Sequence, residues 1–112
     1  MKAQALIDGG ICGFHSKVRA DSDDGQMVQF KITSGCEKIQ ALGKAVEALG
    51  PVDAYEEISP EAESRIMKTV RDSLKGCCAG CAAPVGVFKT MQVAAGLALP
   101  KDIVIHLSKL EN

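Results

Sequence analysis

The segment Gly76-Cys-Cys-Ala-Gly-Cys-Ala-Ala-Pro84-Val-Gly-Val-Phe-Lys-Thr-Met-Gln-Val-Ala-Ala-Gly96-Leu-Ala-Leu-Pro100 decides how the rest of the chain is read. Pro84 suits the first turn of a helix, where its missing N–H leaves nothing unsatisfied and its φ is already helical. Beyond it, Val85, Val87, Phe88, Met91, Val93, Leu97 and Leu99 leave only a narrow polar strip at Lys89, Thr90 and Gln92. A helix apolar on nearly every side is a buried one. The Gly and Ala pairs around Gly96 read as sites of close backbone approach. Cys77, Cys78 and Cys81 immediately precede this helix, at the end where the backbone dipole favours anions such as thiolates.

Upstream, Ser59-Pro60-Glu61 reads as a second helix start, with Ser59 as cap and the proline at the first helical position. Ala62, Ile66, Val70 and Leu74 form its apolar stripe, and Gly76 stops it. Earlier still, Thr33 or Ser34 caps a helix beginning near Cys36, with Ile39, Leu42, Val46 and Leu49 on one face and Gly50-Pro51 as terminator. Val52 to Ile58 reads as a short extended link. Towards the N-terminus the apolar period changes to two. Lys2–Asp8 places Ala3, Ala5 and Ile7 on one side; Cys12–Asp21 places Phe14, Val18 and Ala20 inward; Met27–Thr33 does the same with Val28, Phe30 and Ile32. Asp23-Asp24-Gly25 is the hairpin turn between the last two. At the other end, Asp102–Leu110 alternates Ile103, Ile105 and Leu107 against Val104, His106 and Ser108, the pattern of a last strand. The order β-β-β-α-α-α-β predicts an α+β fold, an antiparallel sheet of about four strands with three helices packed mainly on one face.

With 112 residues the chain reads as one domain, 1–112, able to bury about 65% of its unfolded surface without a metal or disulfides. Hydrophobic content of 46% and 24% charged residues exclude a disordered chain. A net charge of −1 leaves no electrostatic footprint for nucleic acid or an anionic membrane. Met1–Ile7 does not read as a secretion signal, and no apolar run is long enough to span a bilayer. The expected location is the cytoplasm, where clustered cysteines hold metal or do redox work more often than they form disulfides.

The five cysteines fall at element ends. Cys12 starts a strand and shares parity with Phe14, so it is expected to face the core; Cys36 sits in a first helical turn; Cys77, Cys78 and Cys81 occupy one loop. Cys78-Ala-Gly-Cys81 has the C-x-x-C spacing that lets two sulfurs share a soft metal. With Cys36 or Cys12 brought near, a four-thiolate zinc or Fe–S site follows. The usual second C-x-x-C pair at fixed spacing is missing, and buried cysteines also serve as small hydrophobes, the plainer reading for Cys12 and Cys36. His15 and His106 read as polar-face strand residues. The basic stripe Arg65, Lys68, Arg71 and Lys75 reads as a solvated helix face that could steady a nearby thiolate cluster.

Cys12-Gly-Phe14, Thr33-Ser-Gly-Cys36, the Cys-Ala-Ala-Pro84 step and Val93-Ala-Ala-Gly-Leu-Ala-Leu-Pro100 together resemble a small uncharacterised domain family. Its members are short, stand-alone, cysteine-bearing proteins of anaerobic archaea and bacteria, and the family brings no activity with it. More distantly, Thr33-Ser-Gly-Cys36 and Leu74-Lys-Gly-Cys77 are similar to the TSCPD domain found at the ends of some ribonucleotide reductases. That likeness implies metal binding through Cys36 and Cys77.

The expectation is an accessory or metal-handling protein rather than an enzyme. It would hold zinc or an Fe–S cluster through Cys78 and Cys81 first, then Cys36, Cys12 and Cys77. A dithiol redox protein using Cys78 and Cys81 is the runner-up. A third reading is an interaction module whose apolar helix continues into a homodimer interface.

Overall fold

Residues alternating between two faces build the sheet. In the computed structural model, which describes residues 1–111, β1 (Lys2–Asp8), β2 (His15–Asp21) and β3 (Met27–Ser34) pair antiparallel in sequence order. The two-residue β4 (Val52–Asp53) lies beyond β3, antiparallel to it. Register sets Ala5 opposite Val18 and Val18 opposite Ile32, so one face carries Ala3, Ala5, Ile7, Val18, Ala20, Val28, Phe30 and Ile32, buried or half-buried. The other face, exposed, carries Gln4, Leu6, Lys17, Arg19, Lys31 and Thr33. Helices α1 (Glu37–Ala48) and α4 (Ala83–Ala94) lie against the apolar face, α1 on β3 and α4 on β1 and β2. Helix α3 (Arg65–Ser73) packs on both helices, and α2 (Ala54–Glu57) is a single turn following β4. The fold is α+β, as the alternation and helical periods predict.

Two glycines do specific work. Gly25, at φ +75°, closes the β2–β3 turn, where Asp24 Oδ1 accepts the N–H groups of Gln26 and Met27 at 2.9 Å each. Gly43 lets α1 lie directly on β3: a Cβ there would stand 2.9 Å from Ile32 Cβ, inside contact distance.

Several sequence expectations are corrected. Lys101–Glu111 forms no strand; it is exposed and without regular structure, so the fourth strand is Val52–Asp53. That pair was hidden in the Val52–Ile58 link because two residues carry no period. Among the described residues the α-helices number four rather than three. Strand β2 begins at His15, not Cys12: Gly10 and Gly13, both at positive φ, wrap Gly10–Cys12 into a 3-10 turn that leaves Cys12 and Phe14 exposed. Thr90 is buried inside α4 rather than on a polar strip, its hydroxyl donating to the Gly86 carbonyl at 2.6 Å. Gly96 has open space around it and serves through its φ of +76°, just past the end of α4. Among the described residues no helix is long and apolar enough to cross a membrane.

The helix expected to start at Ser59 starts instead at Arg65, because Glu57 captures its N-terminus. Glu57 is buried, and its carboxylate accepts the Ser64 hydroxyl at 2.7 Å, the Arg65 N–H at 2.7 Å and the Ile66 N–H at 2.9 Å. Ser64 Oγ in turn accepts the Met67 N–H at 3.0 Å. Free N–H groups at a helix start demand acceptors, and here a carboxylate from eight residues upstream of Arg65 supplies them.

Glu57→Ala strands these donors in a buried place and is expected to lower stability by about 3 kcal/mol in urea unfolding, whereas Glu57→Gln, which loses only the Oε2 acceptor, lowers it less. The N–H bonds from Gln26 and Met27 hold the Asp24 carboxyl below its ordinary value of 3.8. Its folded pKa is therefore the lower one, and its contribution is present above the unfolded value and lost as pH falls through the folded value. Thermal melts between pH 5 and pH 3 should show wild type losing more stability than Asp24→Asn.

Candidate functional site

The ends of three strands and the starts of two helices meet at one end of the sheet. Asp8 lies opposite His15 and Ser16 opposite Ser34, so the turn after β1, the start of β2 and the exit of β3 are neighbours. Cys12 lies in that turn and Cys36 just past β3. The Gly35 N–H donates to the His15 carbonyl at 3.2 Å, and a Cβ on Gly35 would touch the Phe14 ring, which ties the two loops together. The N-terminal part of α4 reaches the same end, with Gly86 pressed against the Ile7 side chain. The loop bearing Cys77, Cys78 and Cys81 leads directly into it.

Local chemistry fixes each sulfur. Cys36 is the N-terminal boundary residue of α1; its N–H donates to Ser34 Oγ at 3.0 Å, and Ser34 therefore orients the start of the helix without itself being the cap. Gly76–Gly80 forms a 3-10 turn entered through Gly76 at φ +65°. The turn is closed by the Cys81 N–H donating to the Cys78 carbonyl at 3.1 Å. The Ala83 N–H, in the first turn of α4, donates to Cys81 Sγ at 3.4 Å. Lys38 Nζ, in the first turn of α1, donates to Cys78 Sγ at 3.4 Å. A lysine ammonium thus contacts one sulfur of the C-x-x-C pair and a helix-start N–H the other.

Cys36, Cys78 and Cys81 are half-buried and pack against the core, while Cys12 and Cys77 are exposed. All five are free thiols. The expectation that Cys12 faces the core is overturned: the 3-10 turn takes it out of the strand and turns it to solvent. Among the described residues, no three His, Cys, Asp or Glu side chains stand together as ligands of one ion. His15 is exposed at the start of β2, and His106 lies in the exposed C-terminal segment. Lys38 escaped sequence reasoning. It is separated from Cys78 by 40 positions, and a lysine in a first helical turn carries no signal of its own. The stripe residues act elsewhere, Arg65 donating to the Leu49 carbonyl at 3.1 Å and Lys68 pairing with Asp72. An open depression of about 570 Å³ beside this end is lined by Asp8, His15, Lys17, Thr33 and Ser34 among others, and by none of the cysteines.

Sheet, helical layer and a cysteine-bearing end make up a small α+β domain. A family of unknown function (DUF6951) matches residues 3–107, and the chain belongs to that family. No curated protein and no solved structure matches it.

The exposures order the thiols. In brief alkylation of the native, reduced protein followed by peptide mass mapping, Cys12 and Cys77 are expected to label first and Cys36, Cys78 and Cys81 later. Equal rates at all five would contradict this packing.

Proposed function

We propose that the thiol end of the sheet binds a soft metal ion or an Fe–S cluster, Cys78 and Cys81 supplying the first pair of ligands, Cys36 the third and Cys12 the fourth. The chain then acts as an accessory or metal-handling protein in a reducing cytoplasm. The observation that carries this reading is the convergence of cysteine-bearing loops on one sheet end, with the three half-buried thiols held against the same core. Thiolates are the ligands that soft metals and clusters select. Because no three of these groups are preassembled, binding draws the glycine-bounded 76–80 turn towards α1. Glycine at both ends of that turn lets the backbone make the adjustment. Lys38, already on Cys78 Sγ, offsets part of the charge that several thiolates bring together. Cys77, exposed and directly adjacent to Cys78 in the chain, stays outside the ligand set.

A dithiol reading has its own support. Cys78 and Cys81 are joined by a closed turn, with the second sulfur at the start of α4. In that reading Cys81 attacks a partner disulfide and Cys78 resolves the mixed disulfide. The partner leaves as two thiols, and the pair is left as a disulfide.

Metal content of protein purified without oxygen decides between them. About one equivalent of zinc or a brown cluster per chain is expected, lost in Cys78→Ser and Cys81→Ser and kept in Cys77→Ser. Chelation should also lower the melting temperature, because metal binding adds to folding free energy. Metal-free protein that also gives no thiolate charge-transfer band with added cobalt overturns the proposal, and a two-thiol change on oxidation would then favour the dithiol.

A further inference from the structure

The outer edge of β1 is a free strand edge. Met1 and Ser22 are hydrogen-bonded partners through their backbones, and Gly9 donates to Phe14 across the same ladder. Antiparallel pairing alternates inward-bonding and outward-facing residues, so Lys2, Gln4, Leu6 and Asp8 turn their N–H and C=O groups away from β2. Among the described residues none of these four makes another backbone bond outside its strand. An unpaired edge of seven residues, with an apolar centre and a lysine only at its start, is the kind that proteins normally cover.

The same chain carries a segment with nothing to pair with. Asp102–Leu110 has the alternation of a strand, yet Ile103, Val104, Ile105, Leu107 and Leu110 keep between 54% and 93% of their surface exposed. Helix α4 ends at Ala94, with its boundary residue Ala95 beside Gly25. From Lys101 the chain is exposed and without regular structure, and the whole molecule measures 49 Å along its long axis against 28 and 27 Å. Nine extended residues cover about 30 Å, more than the length of the free edge. The family match extends to residue 107, so Ile103, Ile105 and Leu107 belong to the recurring domain and not to an appended end.

We infer that Asp102–Leu110 of a second copy pairs with the free edge of β1 as a fifth strand, and that the exchange is reciprocal, giving a symmetric dimer. Paired there, one apolar side of the segment joins the helical layer, where Val85 is exposed and Phe88 half-buried on α4. The other lies beside exposed Leu6. Main-chain bonds to Lys2, Gln4, Leu6 and Asp8 supply affinity, and the alternating side chains set register.

The test is sedimentation velocity of the full chain in reducing buffer at micromolar concentration, for wild type, Ile105→Pro and Leu6→Pro. The wild type should sediment at about 24 kDa, twice the 11.8 kDa chain, and both variants as monomers with unchanged helical circular dichroism. Leu6→Pro removes an outward N–H and spares the β1–β2 ladder; Ile105→Pro lies in a segment with no packing to disturb. A monomeric wild type overturns the inference, including one whose tail amides are protected from exchange by folding back. A dimer that survives Ile105→Pro overturns it as well, since the interface then lies elsewhere.

Discussion

Much of this molecule follows from how closely α1 approaches the sheet. Gly43 lies against Ile32 with no room for another carbon, and that contact settles where the start of α1 falls. The helix leaves β3 through Gly35 and Cys36 and turns back at once over the strand it has just left. Its first turn therefore stands at the sheet end, with Cys36 at its boundary and Lys38 within reach of Cys78. A larger residue at position 43 would lift the helix from β3 and carry both groups away from the turn that holds the other thiols.

Close packing also explains why the cysteines sit on loops and at element ends. The helical layer and the apolar sheet face use their interior positions for Val18, Ile32, Leu42, Val46, Ile66, Val87 and Met91. Cysteines placed among them would be sealed from any ion or partner. At the sheet end, backbone turns bring sulfur to the border between core and water, half-buried at Cys36, Cys78 and Cys81. The open depression beside this end is lined by none of them.

The sequence was most readable where a long stretch of chain repeats one period. Strands β1 and β3 and the apolar stripes of α1, α3 and α4 come directly from spacing. It misled where folded contacts overrode the local signals. Ser59-Pro60 is a sound helix start by composition, but Glu57, packed against the core, offers its carboxylate to Arg65 and Ile66 and moves the start downstream. The alternation in Asp102–Leu110 is a real strand pattern, yet a pattern states a preference and cannot provide the neighbouring strand. For the site, the gathering of cysteines at element ends was visible. The Lys38–Cys78 contact and the exposure of Cys12 arise from tertiary packing and from a glycine-bounded turn, and neither leaves a periodic trace.

The uncovered face of the sheet has a consequence of its own. Arg19 stands directly across from Lys31, with Lys17 on the same face, and the ion pair between Lys68 and Asp72 lies on α3, away from them. Like charges facing each other across a ladder repel. Dissolved salt shortens the reach of that repulsion to about 8 Å at physiological ionic strength. The β2–β3 pairing should therefore tighten as counter-ions accumulate, so that dilution into very weak buffer loosens the centre of the sheet before it disturbs the helices above it.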